Sequence, residues 1–136
     1  MKKIDKRADL KLSIPFLNKE GDLVKPTFPV KIEFFTNENI KKIANIFCNY
    51  TIDPSTHEQI ITYSFEGCFF KDVTYINNIT NETKVGPALI IPLNKPGFQP
   101  GVLKSTVYAY NPDSDFKDTD NTQTVVKNVK TNIEII

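Results

Sequence analysis

The sequence predicts an all-β protein whose antiparallel strands form a two-sheet sandwich, and three observations carry that prediction. Apolar residues recur at every second position in most segments, glycine and proline cluster between those segments, and helical spacing occurs once only. Side chains on a strand alternate between its two faces, so a period of two marks a strand with one buried face.

The first such segment is 8–17, "ADLKLSIPFL", which sets Leu10, Leu12, Ile14 and Phe16 on one face and Asp9, Lys11 and Ser13 on the other. "NKEGD" (18–22) follows as a turn, with Gly21 free to take a positive φ. Pro26 and Pro29 then bracket chain that a central strand would not tolerate. "VKIEFFT" (30–36) alternates again, with Val30, Ile32 and Phe34 inward. In 36–47 Ile40, Ile43 and Phe47 fall at i, i+3 and i+7 behind Thr36 or Asn37 as a cap, so this segment reads as a short helix or as strand and loop.

"QIITYSFEG" (59–67) and "CFFKDVTYI" (68–76) read as two strands joined tightly at Gly67, and "NNITNETKVGP" (77–87) reads as a polar loop. "ALIIPLN" (88–94) is a strand that Pro92 marks as an edge or a bulge. "KPGFQPG" (95–101) is turn chemistry. "VLKSTVYAY" (102–110) sets Leu103, Val107 and Ala109 against Lys104, Thr106, Tyr108 and Tyr110. The final stretch, 124–136, places Val125, Val129, Ile133 and Ile135 on one face. Seven or eight short strands with at most one short helix give the expected class, an antiparallel β-sandwich of Ig-like or jelly-roll-like form. Residues 8–136 form that single domain, behind a flexible basic arm at 1–7, "MKKIDKR".

Bulk properties narrow the function. The 136 residues carry a formal charge of +1, which excludes the basic stripe of a dedicated nucleic-acid binder. No apolar run reaches the length of about 18 residues that a membrane helix needs. No apolar segment follows the N-terminal charges as in a secretory signal, so synthesis in a reducing cytoplasm is expected. There Cys48 and Cys68, both beside aromatics, are read as buried thiols.

The stretch "YNPDSDFKDTDN" (110–121) holds Asp113, Asp115, Asp118 and Asp120, the only candidates for a metal site. A calcium loop of the EF-hand type begun at Asn111 would fit at Asn111, Asp113 and Asp115 but needs glycine where Phe116 stands and glutamate where Thr122 stands. Acid–base catalysis needs one carboxylate with a raised pKa, whereas this loop chemistry keeps its acids solvated. The preferred reading is a polar link in which Asn111, Asp113 and Ser114 form turns with their own backbone. His57 is the one histidine and lies in turn-rich "DPSTHEQ", so a nucleophile–histidine pair with Ser55 or Cys48 is not expected. Single glycines exclude a phosphate loop, and no cofactor motif is found. Surface is what remains: Lys104, Tyr108 and Tyr110 share one strand face, Phe98 sits in a turn, and one of Phe69 and Phe70 must point outward. These are the candidate interface residues.

The last third of the chain resembles a C-terminal pattern in small virion proteins of tailed phages of Bacteroidetes, crAss-like phages included. Its elements are the Pro/Gly turn, "GVLK" (101–104) opening a strand that ends in aromatics, "NPDSDF" (111–116), and "TNIEII" (131–136). After the phenylalanine this chain has "KDTDN" where related chains carry Pro, Asp and Gly. The resemblance implies a non-enzymatic structural protein of a virion, an auxiliary (decoration) capsid protein or head-fibre adaptor. Its partners would be capsid or tail subunits in a multi-copy assembly, with no nucleic acid and no membrane. The alternatives are a tail or baseplate component, or a calcium-assisted carbohydrate- or receptor-binding module using Tyr108, Tyr110 and the aspartate stretch.

Overall fold

A computed structural model describes residues 1–37, 39–116 and 121–136. Among the described residues there are nine strands and no helix: β1 (Lys2–Ile4), β2 (Leu10–Ile14), β3 (Val30–Phe35), β4 (Lys42–Ile52), β5 (Gln59–Glu66), β6 (Phe69–Ile76), β7 (Thr83–Leu93), β8 (Gly101–Pro112) and β9 (Asn121–Ile135). Six of them form one sheet in the order β1-β9-β8-β3-β4-β5, and three form a second in the order β2-β7-β6. All neighbours are antiparallel except β1 and β9. Both sheets are open, with β1 and β5 ending the larger and β2 and β6 the smaller. The all-β, mostly antiparallel expectation therefore holds, with two open sheets that are not closed into a barrel.

One hydrophobic cluster takes side chains from both sheets: Leu10 and Leu12 of β2, Leu89 and Ile91 of β7, and Ile32 and Phe34 of β3 are among its members. The expected inward faces of 8–17 and 30–36 are thus the real ones. The described residues of 36–47 form no helix. Pairing with β3 sets Ile46 opposite Val30 and Ala44 opposite Ile32, so the buried set is Ala44, Ile46 and Cys48. Ile43 and Phe47, which made the helical spacing, lie on the opposite, exposed face. A neighbouring strand offering a full ladder outweighs a three-residue apolar coincidence.

Four further expectations change. Residues 1–7 are not a free arm, because Lys2 and Ile4 pair with Ile133 and Ile135, and Lys6 N donates to the Ile136 carbonyl at 2.9 Å. The link at Gly67 is tight as expected but joins strands of different sheets, with Gly67 at φ 74, where a Cβ would lie 3.2 Å from the Ile43 carbonyl oxygen. The polar loop is short: β7 begins at Thr83, and Asn77, inside that loop, has no exposed surface. Pro92 lies in a central strand, but β2 and β6 are offset along β7 and overlap only at Leu89 and Ile90. Pro92 therefore faces β2 alone and Pro87 faces β6 alone, so each proline's missing N–H falls where one neighbour is absent.

In β8 the predicted faces hold, although register shifts interrupt its ladder with β9 at Val102/Lys104 and Ser105/Val107. Those shifts move Val125 opposite outward-facing Tyr108 and Val126 opposite Val107, so Val125 does not share a face with Val129.

Candidate functional site

Two surfaces stand out, and the sequence places the first at the β4–β5 hairpin. Its turn is built by Asp53, whose carboxylate accepts from Ser55 N at 2.8 Å and Ser55 Oγ at 2.7 Å; the Ser55 contacts hold that carboxyl below its usual range. His57 completes the turn at φ 58, exposed to solvent. Cys48 is buried, with its thiol 3.4 Å from the Phe28 carbonyl, so Cys48, Ser55 and His57 are used separately for structure. Burial likewise pushes the Cys68 thiol up to about 11.

Among the described residues β5 has β4 as its one neighbour. Its sequence, "QIITYSFE", holds no lysine, no proline and a single charge, Glu66, although such groups commonly blunt exposed edges. Phe47, Tyr50, Ile52 and Ile60 are exposed around it. On the inward side Tyr63 and Phe65 stack with ring centroids 6.3 Å apart, and Phe70 of β6 meets Phe65 edge-on at 5.4 Å. This resolves the Phe69/Phe70 pair: Phe70 packs on the core and Phe69 is exposed.

The second surface is on the outward face of the larger sheet. Glu33 is a buried acid on β3, with its carboxylate 3.4 Å from Lys41 Nζ, 3.6 Å from Lys31 Nζ and 3.5 Å from the Tyr108 hydroxyl that donates to it. Lys31 also stands over the Tyr108 ring, 4.3 Å from its centroid. Around Glu33 lies a groove of about 430 Å³ whose walls include Thr36, Asn37, Lys104, Thr106 and Lys127.

The predicted interface residues thus divide. Lys104 and Tyr108 meet in the groove, and Tyr110, half-buried, lies farther along β8 where its hydroxyl accepts from Gln123 Nε2 at 3.1 Å. Phe98 is not at the surface: it is 2% exposed and belongs to the core cluster, because the turn at 95–101 folds its ring inward. Asp113 serves the β8–β9 hairpin, accepting from the Thr122 hydroxyl and from Asp115 N, contacts that lower its pKa in that order. Asp115 is exposed, and Asp118 and Asp120 lie outside the described residues. Among the described residues no group of three or more His, Cys, Asp or Glu is placed to hold a metal. The acidic stretch links two paired neighbours, since Pro112 lies opposite Asn121. Sequence reasoning missed Glu33 altogether; its one signal was an acid set two residues from Lys31 among the apolar residues of "VKIEFF".

No family model, no curated protein and no solved structure matches the chain. The phage, virion, capsid, head-fibre and tail assignment drawn from the C-terminal resemblance has no relative behind it and is withdrawn.

Proposed function

We propose that the chain is a non-enzymatic assembly module, two sheets stacked as an open sandwich, which joins a second copy of itself through β5. The observation that carries this reading is the eight-residue edge β5, with one charge and neither lysine nor proline, on a strand with one neighbour among the described residues. Antiparallel pairing of β5 with its own copy about a two-fold axis keeps each face of the sheet continuous. Centred on Thr62, that pairing sets Glu58 against Glu66 of the second copy, a like-charge clash. Centred on Tyr63, it sets Phe65 against Ile61 and Glu66 against Ile60, with no like charges opposed. The second register is the one the sequence favours.

Sedimentation velocity across a concentration series tests this. Wild-type chain is expected to move from monomer to dimer, and Thr62→Lys/Ser64→Lys to stay monomeric with unchanged circular dichroism. A wild type that is monomeric throughout, or a double variant that dimerises equally well, overturns the reading.

A further inference from the structure

The outward groove carries more positive charge than its own acid uses. Register sets Lys104 of β8 directly opposite Lys130 of β9, and like charges in that position repel. Lys104 lines the groove together with Lys127 and Lys41, and Lys130 stands beside Lys104 outside that lining. Glu33 is engaged by Lys31 and Lys41. Among the described residues no carboxylate lies within 4.0 Å of Lys104, Lys127 or Lys130. The cost of opposing Lys104 and Lys130 is offset when an anion sits between them.

The floor of the groove limits what that anion is. The Glu33 carboxylate repels a compact, multiply charged phosphate but accepts a hydrogen bond from a hydroxyl. Thr36, Asn37 and Thr106 add neutral donors and acceptors to the wall. A ligand that satisfies both ends has a carboxylate for the lysines and hydroxyls for the floor. The groove volume falls in the range of about 300–1,000 Å³ typical of small-ligand sites, enough for one or two sugar rings. We propose that this groove is a binding site for an acidic saccharide, its carboxylate held by Lys104 and Lys127 and its ring hydroxyls by Glu33, Thr106 and Asn37. The site is on β3, β8 and β9, apart from the β5 edge, and does not depend on self-association.

Titration calorimetry of the full chain with a glucuronic-acid oligosaccharide, its neutral glucose counterpart and inorganic phosphate tests the assignment. The acidic saccharide is expected to bind, the glucose oligomer not to, and phosphate more weakly than the acidic saccharide. Lys104→Gln and Lys127→Gln should each weaken the acidic saccharide about tenfold, the scale of one charged contact. Lys104→Gln relieves the repulsion with Lys130, so its thermal midpoint should stay level or rise, which separates lost binding from lost folding. Glu33→Gln should weaken the saccharide and strengthen phosphate. Equal affinity for the neutral oligomer, phosphate binding as tightly as the saccharide, unchanged affinity in both lysine variants, or no binding at all would each overturn the proposal.

Discussion

The side-chain amide of Asn77 donates to Asp22 Oδ1 at 2.8 Å, joining residues 55 positions apart. The same amide nitrogen donates to the Glu20 carbonyl at 2.9 Å, and the Asn77 oxygen accepts from Ile79 N and Thr80 N. Asp22 Oδ1 also accepts from Lys84 Nζ at 3.0 Å and from the Tyr75 hydroxyl at 3.1 Å. One buried amide thereby fastens the turn before β3 to the β6–β7 hairpin, and satisfies both its own donors and its oxygen.

Asn77→Ala is expected to destabilise the fold by about 3 kcal/mol, because it removes every hydrogen bond this buried amide makes, to Asp22, the Glu20 carbonyl and the Ile79 and Thr80 N–H groups. Urea unfolding measures this. A loss within about 0.5 kcal/mol, as for an ordinary surface position, would show that the loop is not fastened this way.

Stability should also fall in acid. The Lys84 ammonium first, then the Asn77 amide and the Tyr75 hydroxyl, hold the Asp22 carboxyl below its usual range. An Asp in the unfolded chain titrates near about 3.9, so the folded chain keeps its charge to lower pH. The stabilisation is fully present above that value and is lost as pH falls through the lower folded value. Thermal midpoints measured from pH 6 down to pH 2 should therefore decline below about pH 4. Asp22→Asn should flatten part of that decline; an unchanged slope would remove Asp22 as a cause.

Phe98→Ala should cost about 3–5 kcal/mol, the range for a large aromatic removed from a core. It should leave the dimerisation constant of the remaining folded protein unaltered. A surface anchor would behave in the opposite way, with stability kept and association lost, and paired unfolding and sedimentation data distinguish the two.

Burial raises the thiol pKa at both Cys48 and Cys68. A colorimetric disulfide reagent at pH 8 should react slowly with native chain and rapidly with two thiols once denaturant is added. Fast modification of native chain would place a thiol at the surface.

Much of this fold was legible because alternation reports directly on a half-buried strand: Leu10 and Leu12, Val30, Ile32 and Phe34, and Leu103 all point where period two places them. What was hidden depends on partners distant in sequence. The helical spacing at Ile40, Ile43 and Phe47 gave way to a ladder with β3, and the basic start of the chain was ordered by β9. Asn77 read as loop polarity because its partners at Glu20 and Asp22 cannot be inferred locally. At the candidate surface Lys104 and Tyr108 were found from strand parity, but the Lys104–Lys130 opposition needed the register shifts between β8 and β9. Phe98 misled because a turn residue's side chain direction is set by the sheets beneath it.

Amide hydrogen exchange along β5 at low and high protein concentration tests the edge-pairing account most directly. The account predicts that amides in 59–66 which exchange fast in dilute solution become protected as concentration rises, and that Thr62→Lys/Ser64→Lys abolishes the gain. Exchange in β5 that is the same at every concentration would contradict it.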